Sequence, residues 1–286
     1  MSDRWAEKTA QELLNRGLPA QGLCLVLGAA DTGKTTLITA LAQELAQDRG
    51  IAIVDADIGQ SHIGPPTTVG WALVDKPQPD LSKLAVGGIS FVGHITPVGH
   101  LLQITTAIIQ CTREASNAAE LVIIDTPGFV FDHAAATLWW TVQRILEPQL
   151  LLTVQHNNEL SAILTGLRSF AIQIESIKSP DLIPSKTPEQ RRTYRRRCFS
   201  EYFQSSIVSD ILLDDLSVQA VRPLICDNLI NRVVALRDAA GLDLAIGMIT
   251  GYDARRNIVT VRTPQLDIRQ VQCLAVGDIE IDVPDE

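Results

Sequence analysis

The chain of 286 residues is 46% hydrophobic but only 5% aromatic, and its 24 Lys and Arg face 33 Asp and Glu, for a formal net charge of −9. That balance fits an aliphatic α/β protein with room for one large domain and a smaller one, and it excludes disordered and fibrous chains. It also argues against non-specific coating of DNA, while leaving room for a nucleic acid held in one basic cleft.

The opening stretch, MSDRWAEKTAQELL, predicts a polar helix, and no window approaches a run of apolar residues long enough to span a bilayer. Neither a transmembrane segment nor a secretory signal is expected. The five cysteines, Cys24, Cys111, Cys198, Cys226 and Cys273, are scattered and odd in number, which predicts a reduced, cytoplasmic setting without a zinc site.

Short aliphatic runs then recur: LCLVLG, IAIVDAD, LVIIDTPG and LLLTV, with amphipathic helical stretches such as TTLITALAQELAQ and LLQITTAIIQCTREA between several of them. The alternation predicts a mostly parallel sheet with helices on both faces, with functional residues collected at the carboxyl ends of the strands. Directly after the first run comes GAADTGKTT, which fits G-x-x-x-x-G-K-[ST] in its required strand–loop–helix context. Gly28, Ala29, Ala30, Asp31, Thr32, Gly33, Lys34, Thr35 and Thr36 are therefore the expected nucleotide-binding residues. Gly28 and Gly33 permit the turn that aims backbone N–H groups at phosphates, Lys34 reaches the β- and γ-phosphates, and the Thr35 hydroxyl ligates Mg²⁺.

The second run ends in VDADIGQ. Strand alternation places Asp55 and Asp57 on one side, near the phosphate loop. A carboxylate there either holds Mg²⁺ or takes a proton from an attacking hydroxyl; Asp57 is assigned that chemistry, and Asp55 the capping of the turn before Gly59. His94 and His100 are read as structural or solvated, and Trp139 and Trp140 as core. The stretch DTPG, Asp125 to Gly128, would serve a GTPase switch, yet LLLTVQHNNEL offers only Asn157 and Asn158 where a guanine-reading Lys and Asp belong. A GTPase and a non-catalytic ATP-binding scaffold remain as alternatives.

After the Pro-rich connector PDLIPSKTP, five arginines crowd into RRTYRRR; without them the chain holds 19 basic residues against 33 acidic. Thr187, Pro188 and Gln190 predict a well-capped helix start. At about 100° per residue, Arg192, Arg196, Phe199 and Phe203 share one stripe, Arg191, Arg195, Cys198 and Tyr202 the next, with Tyr194 and Arg197 on the far side. The aromatic end anchors, and the arginine end projects as a lid over phosphates. The competing reading, a solvated basic face, predicts acids interspersed for i,i+4 pairs, and residues 191–197 contain none. Residues 1–204 are thus expected to form a P-loop kinase domain ending in this lid helix (about 187–204), and residues 205–286 a small β-rich domain.

Taken in order, GAADTGKTT, DADIGQ, TTVGWAL, FVGHITPVGH, IIDTPGF and the Arg-rich helix ending in EYF resemble the polynucleotide 5′-hydroxyl kinases of eukaryotic RNA cleavage and processing complexes and their shorter prokaryotic relatives. The resemblance implies an ATP- and Mg²⁺-dependent enzyme acting on the 5′-hydroxyl end of RNA or DNA, with no protein partner evidently required. It implies that Asp57 activates the 5′-hydroxyl and takes part in metal binding, that Gln60 and Thr96 help hold substrate, and that Arg191 and Arg195 are the lid's acting pair. The helical stripes themselves do not choose that pair over Arg192 and Arg196. Phe129 stands where eukaryotic members have a tryptophan that clamps a nucleotide, so base stacking is expected of it.

Overall fold

The computed structural model describes residues 2–47, 50–168, 170, 172–180, 183–220 and 229–282; Cys226 and residues 181–182 of the proline-rich connector lie outside them. Seven strands form the first sheet: β1 (Gly22–Leu27), β2 (Ile51–Asp55), β3 (Thr68–Val74), β4 (Val86–Phe91), β5 (Leu121–Asp125), β6 (Leu150–Gln155) and β7 (Gln173–Lys178). Their order across the sheet is β4-β3-β2-β5-β1-β6-β7. Strands β2, β5, β1, β6 and β7 run parallel, whereas β3 is antiparallel to both neighbours. The aliphatic runs are continuous because the central strands are covered on both faces.

Helices α1 (Ser2–Arg16) and α2 (Lys34–Leu45) cover one face; α3 (Leu101–Ala118), α4 (His133–Leu146) and α5 (Ser161–Leu167) cover the other. The strand period sorts the side chains between the two layers. Leu25, Val54 and Ile124 pack with Ile108, Trp139 and Val142, while Val26, Ile53 and Ile123 pack with Leu37, Leu41 and Ala10. The opening helix is polar only on its outside: Ala6, Ala10 and Leu13 are buried. Among the described residues no helix is long and apolar enough to cross a membrane.

After helix α6 (Pro188–Tyr202) comes a second sheet of β8 (Ser206–Leu212), β9 (Ser217–Ala220), β10 (Arg232–Arg237), β11 (Asp243–Asp253), β12 (Ile258–Pro264) and β13 (Cys273–Glu280). Its order is β8-β12-β11-β10-β13-β9, antiparallel apart from the β13–β9 pair. Phe199 of α6, its C-cap Phe203 and Phe91 of β4 are buried in one cluster with Val233, Ile246 and Met248 of this sheet. The end of the lid helix is thereby wedged between the two sheets.

Candidate active site

The carboxyl ends of β1, β2 and β5 open onto one cavity of about 600 Å³. Between β1 and α2 the chain turns through Gly33, whose φ of 93° lies in the left-handed region and which caps α2. The Lys34 ammonium donates to the Ala29 carbonyl at 2.8 Å, and the Thr32 hydroxyl donates to the same oxygen at 2.9 Å. Burial pulls the Lys34 pKa below its usual value, against the opposing charges of Asp125, Asp57 and Asp31. The loop therefore holds its own lysine on a backbone carbonyl.

Thr35 donates its hydroxyl hydrogen to Asp125 Oδ2 at 2.6 Å. The other oxygen, Oδ1, is buried without a hydrogen-bond partner among the described residues. Asp125 sits in register beside Asp55 on the adjacent parallel strand, so the two carboxyls share one face of the sheet. Burial first, and mutual repulsion second, pushes Asp125 up to about 7. Asp55 is likewise raised to about 7 by burial, against three backbone donors that favour its ionised form. An unpartnered buried oxygen next to a threonine hydroxyl is a donor set suited to a hard divalent cation. Asp125 is the acidic residue that motif reading passed over, because DTPG doubles as a GTPase switch. The available signal was an apolar strand ending in Asp and pairing beside the phosphate-loop strand.

Strand β2 ends at Asp55, which corrects the expectation that alternation carries Asp57 along the same face. Asp55 is buried and accepts from the amides of Asp57, His62 and Ile63 at 3.0, 2.5 and 3.1 Å, so it holds the whole loop. The turn before Gly59 is capped instead by Asp57, whose Oδ1 accepts from Gly59 and Gln60 amides at 3.1 and 3.0 Å. Asp57 lines the cavity. His62, which sequence reading did not single out, lines the cavity too; burial lowers its pKa.

Helix α6 begins with the predicted capping box: Thr187 Oγ1 accepts from Gln190 N, and Gln190 Oε1 accepts from Thr187 N. Arg191 lies over the phosphate loop, donating to Asp31 Oδ2 at 2.5 Å, and the amide of Lys186 donates to the same oxygen at 3.2 Å. Tyr194 is corrected from the far side to the inner one, where its hydroxyl donates to the Ser61 carbonyl at 2.8 Å. Its spacing, three residues after Arg191 and four before Cys198, puts it on their stripe. Arg195 is half-buried beside Arg191, and burial and the neighbouring guanidiniums depress its pKa while Asp57 opposes them. Arg192 and Arg196 are exposed; Arg196 pairs with Asp282, and Arg197 with Glu201 at 3.6 Å. The arginines thus do find acids, supplied mostly from outside the helix.

Among the expected site residues, Ala30, Asp31, Thr32, Gly33, Lys34, Thr35, Thr36, Asp57, Gln60 and Arg191 line one cavity. Gly28 and Ala29 are buried and are not among the residues that line it. Thr96 sits in the loop after β4, off the cavity lining, although this loop presses its Ile95 carbonyl against Gly59. Phe129 packs against the core, and its carbonyl accepts from Trp139 Nε1 at 2.7 Å, so it does not line the cavity.

Residues 28–205 match the family model described as "mRNA cleavage and polyadenylation factor CLP1 P-loop". A polyribonucleotide 5′-hydroxyl-kinase of Pyrococcus abyssi is 34% identical over 197 residues, covering 68% of this chain and 54% of that protein. Its counterpart in Pyrococcus horikoshii is 30% identical over 70% of this chain and 56% of its own length, so the chain spans about half of each of these two relatives. The like-named protein of Pyrococcus furiosus is 26% identical over 312 residues, 90% of this chain and 87% of its own. A chain of the solved Clp1p–Pcf11p complex shares the fold, with a TM-score of 0.73 at 15% identity over 97% of this chain and 79% of that one. On the phosphate loop, the acidic strand ends, the arginine helix and the match over residues 28–205, the chain belongs to the CLP1 P-loop family.

Proposed function

We propose that the chain is an ATP- and Mg²⁺-dependent polynucleotide 5′-hydroxyl kinase, taking the 5′-hydroxyl end of RNA, and of DNA as a second acceptor. The observation that carries this reading is a single cavity in which Lys34 and Thr35 face a carboxylate, Asp57, beneath a lid arginine, Arg191. A nucleotide switch needs the phosphate loop and a metal carboxylate; a second carboxylate and an arginine lid suit transfer to an acceptor. Residues 1–204 form the proposed kinase unit and residues 205–286 a β-rich unit beside it. The proposed setting is cytoplasmic, in keeping with the free thiols of Cys24, Cys111, Cys198 and Cys273.

In the proposed mechanism the amides of residues 28–36 cradle the phosphates of ATP, and Lys34 exchanges the Ala29 carbonyl for phosphate oxygens. Thr35 and Asp125, with Asp57 nearby, would hold Mg²⁺, which when bound offsets phosphate charge. Asp57 orients the 5′-hydroxyl and accepts its proton as the 5′-oxygen bonds to the γ-phosphorus and the bond to the bridging β,γ-oxygen breaks. Arg191 and Arg195 stabilise the charge that builds on the transferring group. Gln60 and Thr96, with the outer Arg192 and Arg196, are assigned to holding the strand through its backbone, which gives little base preference.

The test is transfer of label from γ-labelled ATP to 5′-hydroxyl RNA and DNA oligonucleotides, with a 5′-phosphorylated control. Label is expected on the hydroxyl ends alone, and Lys34→Ala is expected to reduce it by about a hundredfold or more. ATP binding without any transfer would favour the scaffold, and preferential binding and hydrolysis of GTP the switch.

A further inference from the structure

Besides its contacts with the lid helix, the second sheet reaches the loop of residues 93–100 that follows β4. The Asp278 amide donates to the Gly93 carbonyl at 3.0 Å. Gly93, at φ 79°, and Gly277 lie in backbone contact; a Cβ on Gly277 would stand 2.7 Å from the Gly93 carbonyl oxygen. At the loop's other end His100, only 3% exposed, reaches across to Asp278 Oδ2 through Nε2 at 3.1 Å. Its Nδ1 approaches the Val98 carbonyl at 3.0 Å, and its ring stacks on His94 with centroids 4.3 Å apart. Arg232 backs Asp278, with Nη1 3.8 Å from Oδ1 and 3.2 Å from the Gly277 carbonyl oxygen. Both ends of the loop are therefore clamped by one residue of β13.

The other side of the loop meets the site. The Ile95 carbonyl presses on Gly59, the residue whose amide holds the Asp57 carboxylate. The Val92 and Gly93 amides share the Thr67 carbonyl, and the Thr67 amide donates to the Ile58 carbonyl. The 93–100 loop thus touches the Asp57 turn directly, whereas residues 28–36 of the phosphate loop take part in none of these contacts.

We propose that Asp278 is a positioning residue for the acceptor strand: through His100 and Gly93 it sets the 93–100 loop against the Asp57 turn, and this is what the second sheet contributes to the site. The inference rests on the kinase reading for the identity of the acceptor. Losing one partner of a buried, charge-assisted contact loosens the loop and leaves the ATP side as it was.

Asp278→Asn, His100→Asn and Gly277→Ala approach the same loop from three directions, so failure of one variant to fold does not remove the test. Amide hydrogen exchange in peptides covering residues 93–101 is expected to speed up about tenfold in each, with peptides covering residues 28–36 unchanged. Fluorescence anisotropy is expected to show 5′-hydroxyl RNA bound about tenfold more weakly, with the Kd for ATP within about twofold of the unaltered protein. Unchanged exchange at 93–101, or a loosened loop with unchanged RNA affinity, would overturn the inference. So would parallel loss of RNA affinity, ATP affinity and melting temperature, because that marks a purely structural role. Absence of label transfer by the unaltered protein, with RNA binding retained, overturns the kinase reading instead, and the RNA-to-ATP affinity ratio still decides this one.

Discussion

Asp125 and Asp55 sit side by side at the base of the cavity, each 2% exposed; among the described residues Thr35, Lys34, a few amides and, 3.9 Å from Asp55, His62 offset their charge. An acid whose folded pKa lies above its unfolded value keeps a proton in the folded chain that the unfolded chain has already released. Raising the pH from about 4 to about 7 therefore favours unfolding, and above 7 the effect levels off. Asp125→Asn removes one charge and keeps an oxygen for Thr35, so the variant is expected to melt several degrees higher than the unaltered protein at pH 8 and to match it near pH 4. Thermal melts across that range without nucleotide check this; an equal gap at both ends would refute it. The same variant should lose Mg²⁺-dependent transfer, which separates the residue's function from its cost in stability. Residues of the phosphate loop were legible because their spacing is itself the site. Asp125 was not, since a strand-terminal Asp gains its meaning only when strand order sets it beside β1. Phe129 was named by resemblance, and its packing against Trp139 is a tertiary matter that no local pattern reports.

At the scale of elements, the arginine helix was the most legible feature and also the one misread in part. Its capping box and buried aromatic end followed from residue types alone, and both are present. Its inner stripe was drawn one residue too narrow, which hid Tyr194. That side chain and the Arg191–Asp31 pair at 2.5 Å hold the helix against the DADIGQS turn and the phosphate loop respectively. Burial drives the Tyr194 pKa upward, so its hydroxyl stays protonated and available as a donor at any working pH. Tyr194→Phe leaves the Ser61 carbonyl without this donor and unseats the lid without changing its charge. It is expected to lower kcat/KM for transfer about fivefold, near 1 kcal/mol, with melting temperature almost unmoved. Steady-state kinetics with a 5′-hydroxyl oligonucleotide measure it, and an unchanged kcat/KM would mean that the arginines alone seat the helix. The outer strands β3, β4 and β7, of which β4 and β7 are the edges, escaped the sequence reading for a related reason. Their mixed burial, with exposed positions in each, dilutes the apolar run that marked the four central strands.

For the molecule as a whole, the question is whether the two sheets fold as one. A change of texture near residue 205 suggested an appendage, and composition cannot show what an appendage packs against. Phe203 ends the lid helix and is fully buried among Phe91 of the first sheet and Val233, Ile246 and Met248 of the second, where the Ile246 amide also donates to the Tyr202 hydroxyl oxygen. Truncating such a side chain costs about 3–5 kcal/mol, or on the order of 10 °C in a chain of this size. All four tryptophans, Trp5, Trp71, Trp139 and Trp140, belong to the first sheet and its helices, so their fluorescence follows that half alone, whereas far-UV circular dichroism follows both. If the shared cluster couples the halves, the two signals melt together in the unaltered protein, and Phe203→Ala moves both midpoints by the same amount. A fluorescence midpoint that stays put while the dichroism midpoint falls would show that the second sheet unfolds by itself. Its clamp on the 93–100 loop would then switch off below the temperature at which the phosphate loop is lost, and transfer would fail before ATP binding does.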